Sequence, residues 1–348
     1  MSLQHTSFVP KPLAIGSVLI DPPLLLAPMA GVTDGDYRWL MAQYGAGLVT
    51  TEMVSAVGLV RRQPETLDIV RQEAPLQVPL AVQIFGGDPA VMADAARILA
   101  DAGVALIDIN AGCPVKKVIR QGAGASLLIE PDRLASIVEG VKRAAGVPVT
   151  VKIRLGWDAQ SINAVEVARK VESAGADAIS VHGRTAVQFY GGRADWETIR
   201  LVKAAVSIPV IGNGDVTSPK EAEALLRETG CDGVMVGRAT QGNPWTLAAM
   251  ARRWGGGPCW ETPPGWRDFL ETVVTHIEAF LRRKPRAVGN SRQLLVWYSR
   301  GIPGSSRLRG SLCHLPATVD ALTLFREWVE EVDARGVDFL SLKVSESP

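Results

Sequence analysis

The sequence predicts an α/β fold, a closed (β/α)8 TIM barrel followed by a small all-α helical bundle, and three observations predict it. First, eight short apolar runs begin near Leu24, Leu48, Leu80, Val104, Pro148, Ala178, Ile208 and Gly233. Between most of them lie segments whose apolar residues recur every three or four positions, the pattern of strands alternating with helices. Second, the runs end in glycines and polar side chains, where a parallel barrel places its site. Third, no G-x-G-x-x-G follows the first run. The runner-up architecture, an open doubly wound sheet, therefore lacks its phosphate loop.

Taken in order, residues 1–23 form a polar lead-in, with Ile15-Gly16-Ser17-Val18 suited to a small hairpin. Strand one ends in Pro28-Met29-Ala30-Gly31-Val32-Thr33-Asp34, strand two in Thr51-Glu52-Met53 and strand three in Gln83-Ile84-Phe85-Gly86-Gly87. Strand four runs into Asp108-Ile109-Asn110-Ala111-Gly112-Cys113-Pro114, strand five into Lys152-Ile153-Arg154 and strand six into His182-Gly183-Arg184-Thr185. Strand seven ends in Gly212-Asn213-Gly214-Asp215 and strand eight in Gly237-Arg238. Ala90–Ala102 and Ile162–Ala174 are good examples of the intervening helices, the second stopping at Gly175. Residues 1–254 are assigned to the barrel and 255–265, rich in Gly and Pro, to a linker. A helical region spans 266–340: a long amphipathic helix from Trp266, a second over Ser291–Ser299 broken by Pro303-Gly304, and a third over about Ala317–Ala334. Residues 341–348 are read as a tail.

Composition sets outer bounds. With 47% hydrophobic and 21% charged residues the chain reads as an ordinary soluble globular protein. No run reaches transmembrane length and no signal segment opens the chain, so no membrane and a cytoplasmic location are expected. Cys113, Cys231, Cys259 and Cys313 form no C-x-x-C pair, which argues against a zinc site or a disulfide scaffold. A net charge of +1 hides an uneven distribution. Arg282, Arg283, Lys284, Arg286, Arg292, Arg300, Arg307 and Arg309 lie in a stretch without Asp or Glu, locally about +8. This segment is either a solvated face or a surface for a phosphate backbone.

The strand ends suggest chemistry. Asn213-Gly214-Asp215 and Gly237-Arg238 occupy the last two barrel loops, where glycine N–H groups and an arginine suit an anion. Lys152 and Arg154 share one face of a strand, and an inward lysine calls for an anionic partner. A reduced flavin offers one at N1 and O2. Gln83 suits the pyrimidine edge of such a ring and Met29 its face. His182 suits a cofactor phosphate or a substrate, or is a satisfied strand-end histidine, while Glu52 is taken as structural. A lone cysteine is commonly buried filler. Facing a flavin, however, Cys113 can act as an acid. No His or Asp lies beside it to activate a thiolate, which favours proton donation over nucleophilic attack.

Jointly, APMAGVTD (27–34), QIFGG (83–87), DINAGCP (108–114), KIR (152–154), HGR (182–184), GNGDV (212–216) and VGRA (236–239) resemble the tRNA-dihydrouridine synthases, closest to the bacterial B-type branch. The resemblance covers roughly 24–250. It implies FMN in the barrel mouth, NADPH as its reductant, and hydride passing from flavin N5 to C6 of a tRNA uridine while Cys113 protonates C5. Carried over, the FMN contacts are Pro28, Met29, Ala30, Gln83, Lys152, Asn213, Gly214, Asp215, Gly237 and Arg238, with Asn110, Arg154 and His182 near the uridine or the flavin. The helical region, through Arg282, Arg283 and Arg286, would grip the tRNA backbone around an extruded base. The implied partners are tRNA and NAD(P)H, and the chain is expected to be a monomer with no resident metal. One departure is the run Arg292–Tyr298, where the family carries a more basic, histidine-containing stretch. It leaves open which tRNA position is served.

Two other classes are compatible with the barrel. An FMN enzyme on a free small molecule, like dihydroorotate dehydrogenase, shares the lysine and the catalytic loop but needs no basic helical region. An RNA-binding barrel without catalysis needs neither Cys113 nor Lys152.

Overall fold

The computed structural model describes residues 8–70, 76–256, 264–285, 287–315 and 318–344. An antiparallel hairpin comes first, β1 (Leu13–Ile15) and β2 (Val18–Ile20), turning through Gly16 at φ +55. Its Leu13, Ile15 and Ile20 are buried against Leu25, Ala81, Leu106, Ala178, Ile211 and Met235. The hairpin therefore plugs one end of a barrel.

The barrel strands follow as β3 (Leu24–Leu26), β4 (Val49–Thr50) continued by β5 (Val54–Ser55), β6 (Leu80–Phe85), β7 (Leu106–Ala111), β8 (Val149–Arg154), β9 (Ala178–His182), β10 (Val210–Asn213) and β11 (Gly233–Val236). From β4 onward each barrel strand pairs in parallel with the next, β4 and β5 both meeting β6, and β11 returns to pair with β3. The ring closes between β3 and β4 through a bridge from Leu25 to Leu48, where Leu26 N–H donates to Leu48 O at 2.9 Å. The second strand is thus split, which its short apolar run did not announce.

Outside the barrel lie α1 (Gly35–Gln43), α2 (Ala56–Val60), α3 (Pro64–Val70), α4 (Pro89–Asp101), α5 (Lys116–Ile119), α6 (Pro131–Ala145), α7 (Ala164–Ser173), α8 (Trp196–Ala205), α9 (Pro219–Thr229) and α10 (Trp245–Arg253). Their starts are written locally. Asp34, Asp88, Asp195 and Ser218 accept backbone N–H groups at the first turns of α1, α4, α8 and α9, and proline opens α4 and α9. Outward residues such as Val82, Ile107, Ile109, Val151 and Ile179 join the helices in the main core.

Beyond the barrel, α11 (Trp266–Arg283), α12 (Val288–Tyr298), α13 (Ser305–His314) and α14 (Thr318–Ala334) enclose a second core around Phe269, Ile277, Leu295, Tyr298, Phe325 and Val329. Trp245 of α10 is buried in this second core, so the last barrel helix packs into the helical region. Helix α13 is not evident from the sequence, because its only buried apolar residues are Leu308 and Leu312 in a polar decapeptide. Leu340–Val344, which runs from the end of the helical region into the segment read as a tail, forms a short π-helix whose Lys343 ammonium is buried. It donates to Tyr298 O at 2.9 Å, Arg300 O at 3.2 Å and Gly242 O at 3.3 Å. Part of the linker (257–263, with Cys259), the end of the tail (345–348) and Arg286 lie outside the described residues. No helix among the described residues is long and apolar enough to cross a membrane.

Candidate active site

Alternate residues of each barrel strand point inward. Along these inner columns the character changes from one barrel end to the other. Ala81 precedes Gln83, Leu106 precedes Asp108 and Asn110, Ala178 precedes Ser180 and His182, and Ile211 precedes Asn213. Strand register sets Gln83 beside Asp108, Asn110 beside Lys152, and Arg154 and Asn213 on either side of His182. The polar end surrounds a cavity of about 790 Å3. Every barrel residue expected at the site lines it: Pro28, Met29 and Ala30; Gln83; Asn110 and Cys113; Lys152 and Arg154; His182; Asn213, Gly214 and Asp215; Gly237 and Arg238.

The floor is a hydrogen-bonded chain. Gln83 Nε2 and Thr150 Oγ1 donate to the two oxygens of Asp108, each at 2.6 Å, and Asn110 Nδ2 donates to Gln83 Oε1 at 2.8 Å. The Gln83 amide is thereby fixed in orientation. Burial raises the Asp108 carboxyl to about 6, against the pull of Thr150, Gln83 and the Lys152 charge. Lys152 donates to Asn213 Oδ1 at 3.0 Å. Burial, with Arg154 nearby, lowers its ammonium to about 8 although Asp108 and Cys113 oppose this. An ammonium so placed favours an anionic guest.

Cys113 is half-buried on the loop after β7. Asn110 Oδ1 accepts the N–H groups of Gly112 at 3.2 Å and Cys113 at 2.9 Å, and Ala125 N–H donates to Cys113 O at 3.0 Å. Gly124 is required beside it, since a Cβ there would meet Cys113 O at 2.6 Å and the residue sits at φ +63. Burial lifts the thiol above its ordinary value near 9; the Val115 backbone, Arg154 and Lys152 only moderate this. The group is a neutral thiol at pH 7.

Three of these lining residues are also engaged by neighbouring groups. Arg154 donates to Gly112 O at 3.0 Å, Thr185 O at 2.9 Å and Phe189 O at 2.7 Å, tying the Cys113 loop to the loop after β9. Asp215, at φ +56, accepts from Ala194 N–H at 2.7 Å and from Arg184 Nη2 at 2.8 Å on both oxygens. Burial opposes its charge, but Ala194 N–H, Arg184 and Arg238 hold its pKa below the usual carboxylate value. His182 is kept neutral by burial and by Lys152, Arg154, Arg184 and Arg238. It has no cation to offer a phosphate. Arg238 is different: half exposed, it lies 3.7 Å from Asp215 and 4.5 Å over the Tyr190 ring.

Sequence reasoning missed Arg184, Phe189 and Tyr190. Phe189 and Tyr190 are exposed on the cavity wall, and the signal was present as two adjacent aromatics in a polar stretch after HGR. Glu52 accepts the Gly31 N–H and so steadies the first loop. In the helical region Arg282 is exposed, but Arg283 is not a surface cation. It is 10% exposed and paired with Asp34 and Asp36, because α11 ends against the barrel rim. Among the described residues no cluster of three or more His, Cys, Asp and Glu could hold a metal ion.

A family model described as dihydrouridine synthase matches residues 25–332. The chain belongs to this family. A probable tRNA-dihydrouridine synthase of Rhodobacter capsulatus is 41% identical over 324 residues, 92% of this chain and 99% of its own length. The tRNA-dihydrouridine synthase B of Xanthomonas campestris pv. campestris is 40% identical over 325 residues, 92% of this chain and 96% of its own. Membership makes the chain an oxidoreductase. Among solved structures, histamine dehydrogenase from Rhizobium sp. 4-9 shares the barrel fold, with TM-score 0.53 and 14% identity over 70% of this chain and 48% of that one.

Proposed function

We propose that the chain reduces a uridine of tRNA to 5,6-dihydrouridine, with FMN held in the barrel mouth and NADPH as the source of electrons. The observation that carries this reading is one cavity faced by both a neutral thiol and a buried ammonium bonded to a neutral amide oxygen. The residues present fit FMN. The cavity is of cofactor size. Lys152 suits the anionic edge of the ring, the Gln83 amide its pyrimidine edge, Met29 its face, and Arg238 with the Gly214 and Gly237 loops its phosphate. Bound there, FMN supplies the hydride for C6 of the uridine. Cys113 donates the proton to C5, which completes reduction of the C5–C6 bond, and Arg154 and Lys152 steady the thiolate left behind until solvent reprotonates it.

Purified protein will show a flavin absorption spectrum, and enzyme reduced by NADPH will be reoxidised by unmodified tRNA and not by orotate. Absence of flavin would overturn the reading; reoxidation by orotate alone would point to a free small-molecule substrate. Binding of tRNA will weaken with salt, and Arg282→Ala will reduce the slope of log K against log salt by about 1, the loss of one phosphate contact. An unchanged slope would return Arg282 to a solvated face.

The charges also set a pH dependence. Lys152 is protonated below about 8, and Cys113 stays protonated to higher pH. Turnover will therefore be flat through neutral pH and fall as pH rises past about 8, where the ammonium is lost first. In Lys152→Arg, whose side chain keeps its charge, the falling limb will move to higher pH. A limb that stays in place assigns it to another group.

A further inference from the structure

The helical region meets the barrel through an ion pair that reaches, in two steps, two adjacent loops of the cavity. Arg283, the last residue of α11, places Nη2 2.5 Å from Asp34 Oδ2 and 2.8 Å from Asp36 Oδ2, and Nε donates to Asp36 Oδ2 at 2.9 Å. The guanidinium is 10% exposed and the carboxylates 12% and 16%. Asp34 is also the N-cap of α1, its Oδ1 accepting Tyr37 N–H at 3.1 Å. One residue earlier, Thr33 Oγ1 accepts Met29 N–H at 3.0 Å, and Thr33 O accepts from Arg38 at 2.8 Å. The turn held in this way contains Pro28, Met29 and Ala30, one wall of the cavity. On the other side of α1, Tyr37 OH donates to Thr240 Oγ1 at 2.8 Å, which donates to Gly237 O at 2.8 Å. That loop carries Arg238 and lines the cavity beside the first turn, since β11 and β3 are paired strands.

We infer that Arg283 is a positioning residue: a strut from the helical region that sets the first turn of α1, and through it the Met29 and Gly237 loops around the cofactor, rather than a contact to tRNA phosphate. A nearly buried cation between two carboxylates, one of them anchored as the N-cap of α1, holds its geometry more firmly than an exposed pair. The inference rests on the reading that the cavity takes FMN. A seat for the helical region that is also a seat for two cavity loops links docking on one to the shape of the other.

The test uses full-length Arg283→Gln and Asp36→Asn, with Arg283→Lys and Arg282→Gln alongside. Three quantities are read: FMN affinity of flavin-stripped protein by fluorescence quenching, amide exchange of residues 28–33 without flavin, and the salt slope of tRNA binding. Arg283→Gln and Asp36→Asn are expected to weaken FMN binding by about tenfold and to speed exchange in 28–33, with the salt slope unchanged. Arg283→Lys will recover part of both losses, and Arg282→Gln will show the reverse profile. Folded variants with unchanged FMN affinity and exchange overturn the strut, as does a slope reduced by about 1 in Arg283→Gln. Should Arg283→Gln fail to fold, Asp36→Asn decides, because it keeps both the N-cap and the Arg283–Asp34 pair. Should the wild-type chain bind no FMN, the reading of the cavity fails, while the exchange of 28–33 still decides the strut.

Discussion

Cys113→Ala will bind FMN as the parent does and lose about two to four orders of magnitude in turnover, the usual worth of a positioned proton donor. The two effects separate because the loop is held by groups other than the thiol. Asn110 Oδ1 grips the Cys113 and Gly112 N–H groups, Ala125 grips the Cys113 carbonyl and Arg154 grips that of Gly112, none of which alanine disturbs. What alanine removes is a thiol that burial keeps protonated at working pH. The step affected is the one in which reduced enzyme meets tRNA, so single-turnover reoxidation is the measurement; reduction by NADPH will be unchanged. Cys113→Ser will fall between, since a hydroxyl fits the space but gives up its proton far less readily. A rate of reoxidation in Cys113→Ala equal to that of the parent would refute the role.

The barrel and its mouth were legible because the information is local. Each strand writes its own ending, and period-two alternation places Gln83, Asn110, Lys152, His182 and Asn213 on the inner face without reference to any other strand. What was not legible is how charges are shared across the chain. Arg283 reads as one more cation of a basic run until α11 delivers it to carboxylates that lie some 247 residues away in sequence. Asp215 reads as a ligand on a phosphate loop until Arg184, 31 residues earlier, takes both its oxygens. Arg154, expected near the uridine or the flavin, lines the cavity, and its guanidinium also joins two loops. In each case a side chain that looks available in one dimension is already occupied in three. The helix α13 escaped for a different reason, since two leucines four apart do not establish a period.

Arg184→Met will destabilise the fold by about 3 kcal/mol and open the cavity rim, although the residue touches no proposed substrate. Its side chain is 2% exposed and satisfies five acceptor positions: both Asp215 oxygens, Gly191 O at 3.0 Å, Gly192 O at 2.7 Å, and His182 Nε2 at 3.4 Å. Methionine fills the volume but donates to none of them, and only Asp215 Oδ2 keeps another close donor, Ala194 N–H. The lower end of the range for a broken buried pair applies, because Asp215 is 35% exposed and water can replace part of what is lost. Asp215→Asn will cost less, about 1–2 kcal/mol, since asparagine tolerates the φ of +56 and still accepts from Ala194 N–H. The double variant will lose less than the sum of the singles by at least about 1 kcal/mol in urea unfolding, which is the mark of one interaction counted twice. Strict additivity would mean that Arg184 acts through the Gly191 and Gly192 carbonyls alone. The functional consequence follows from position. Tyr190 adjoins those carbonyls and lies under Arg238, so slackening the loop moves the aromatic ring and the cation together. FMN affinity will therefore fall in Arg184→Met more than in Asp215→Asn, in the same order as stability. A variant that loses stability while keeping its flavin would separate the two and leave Arg184 a structural residue only.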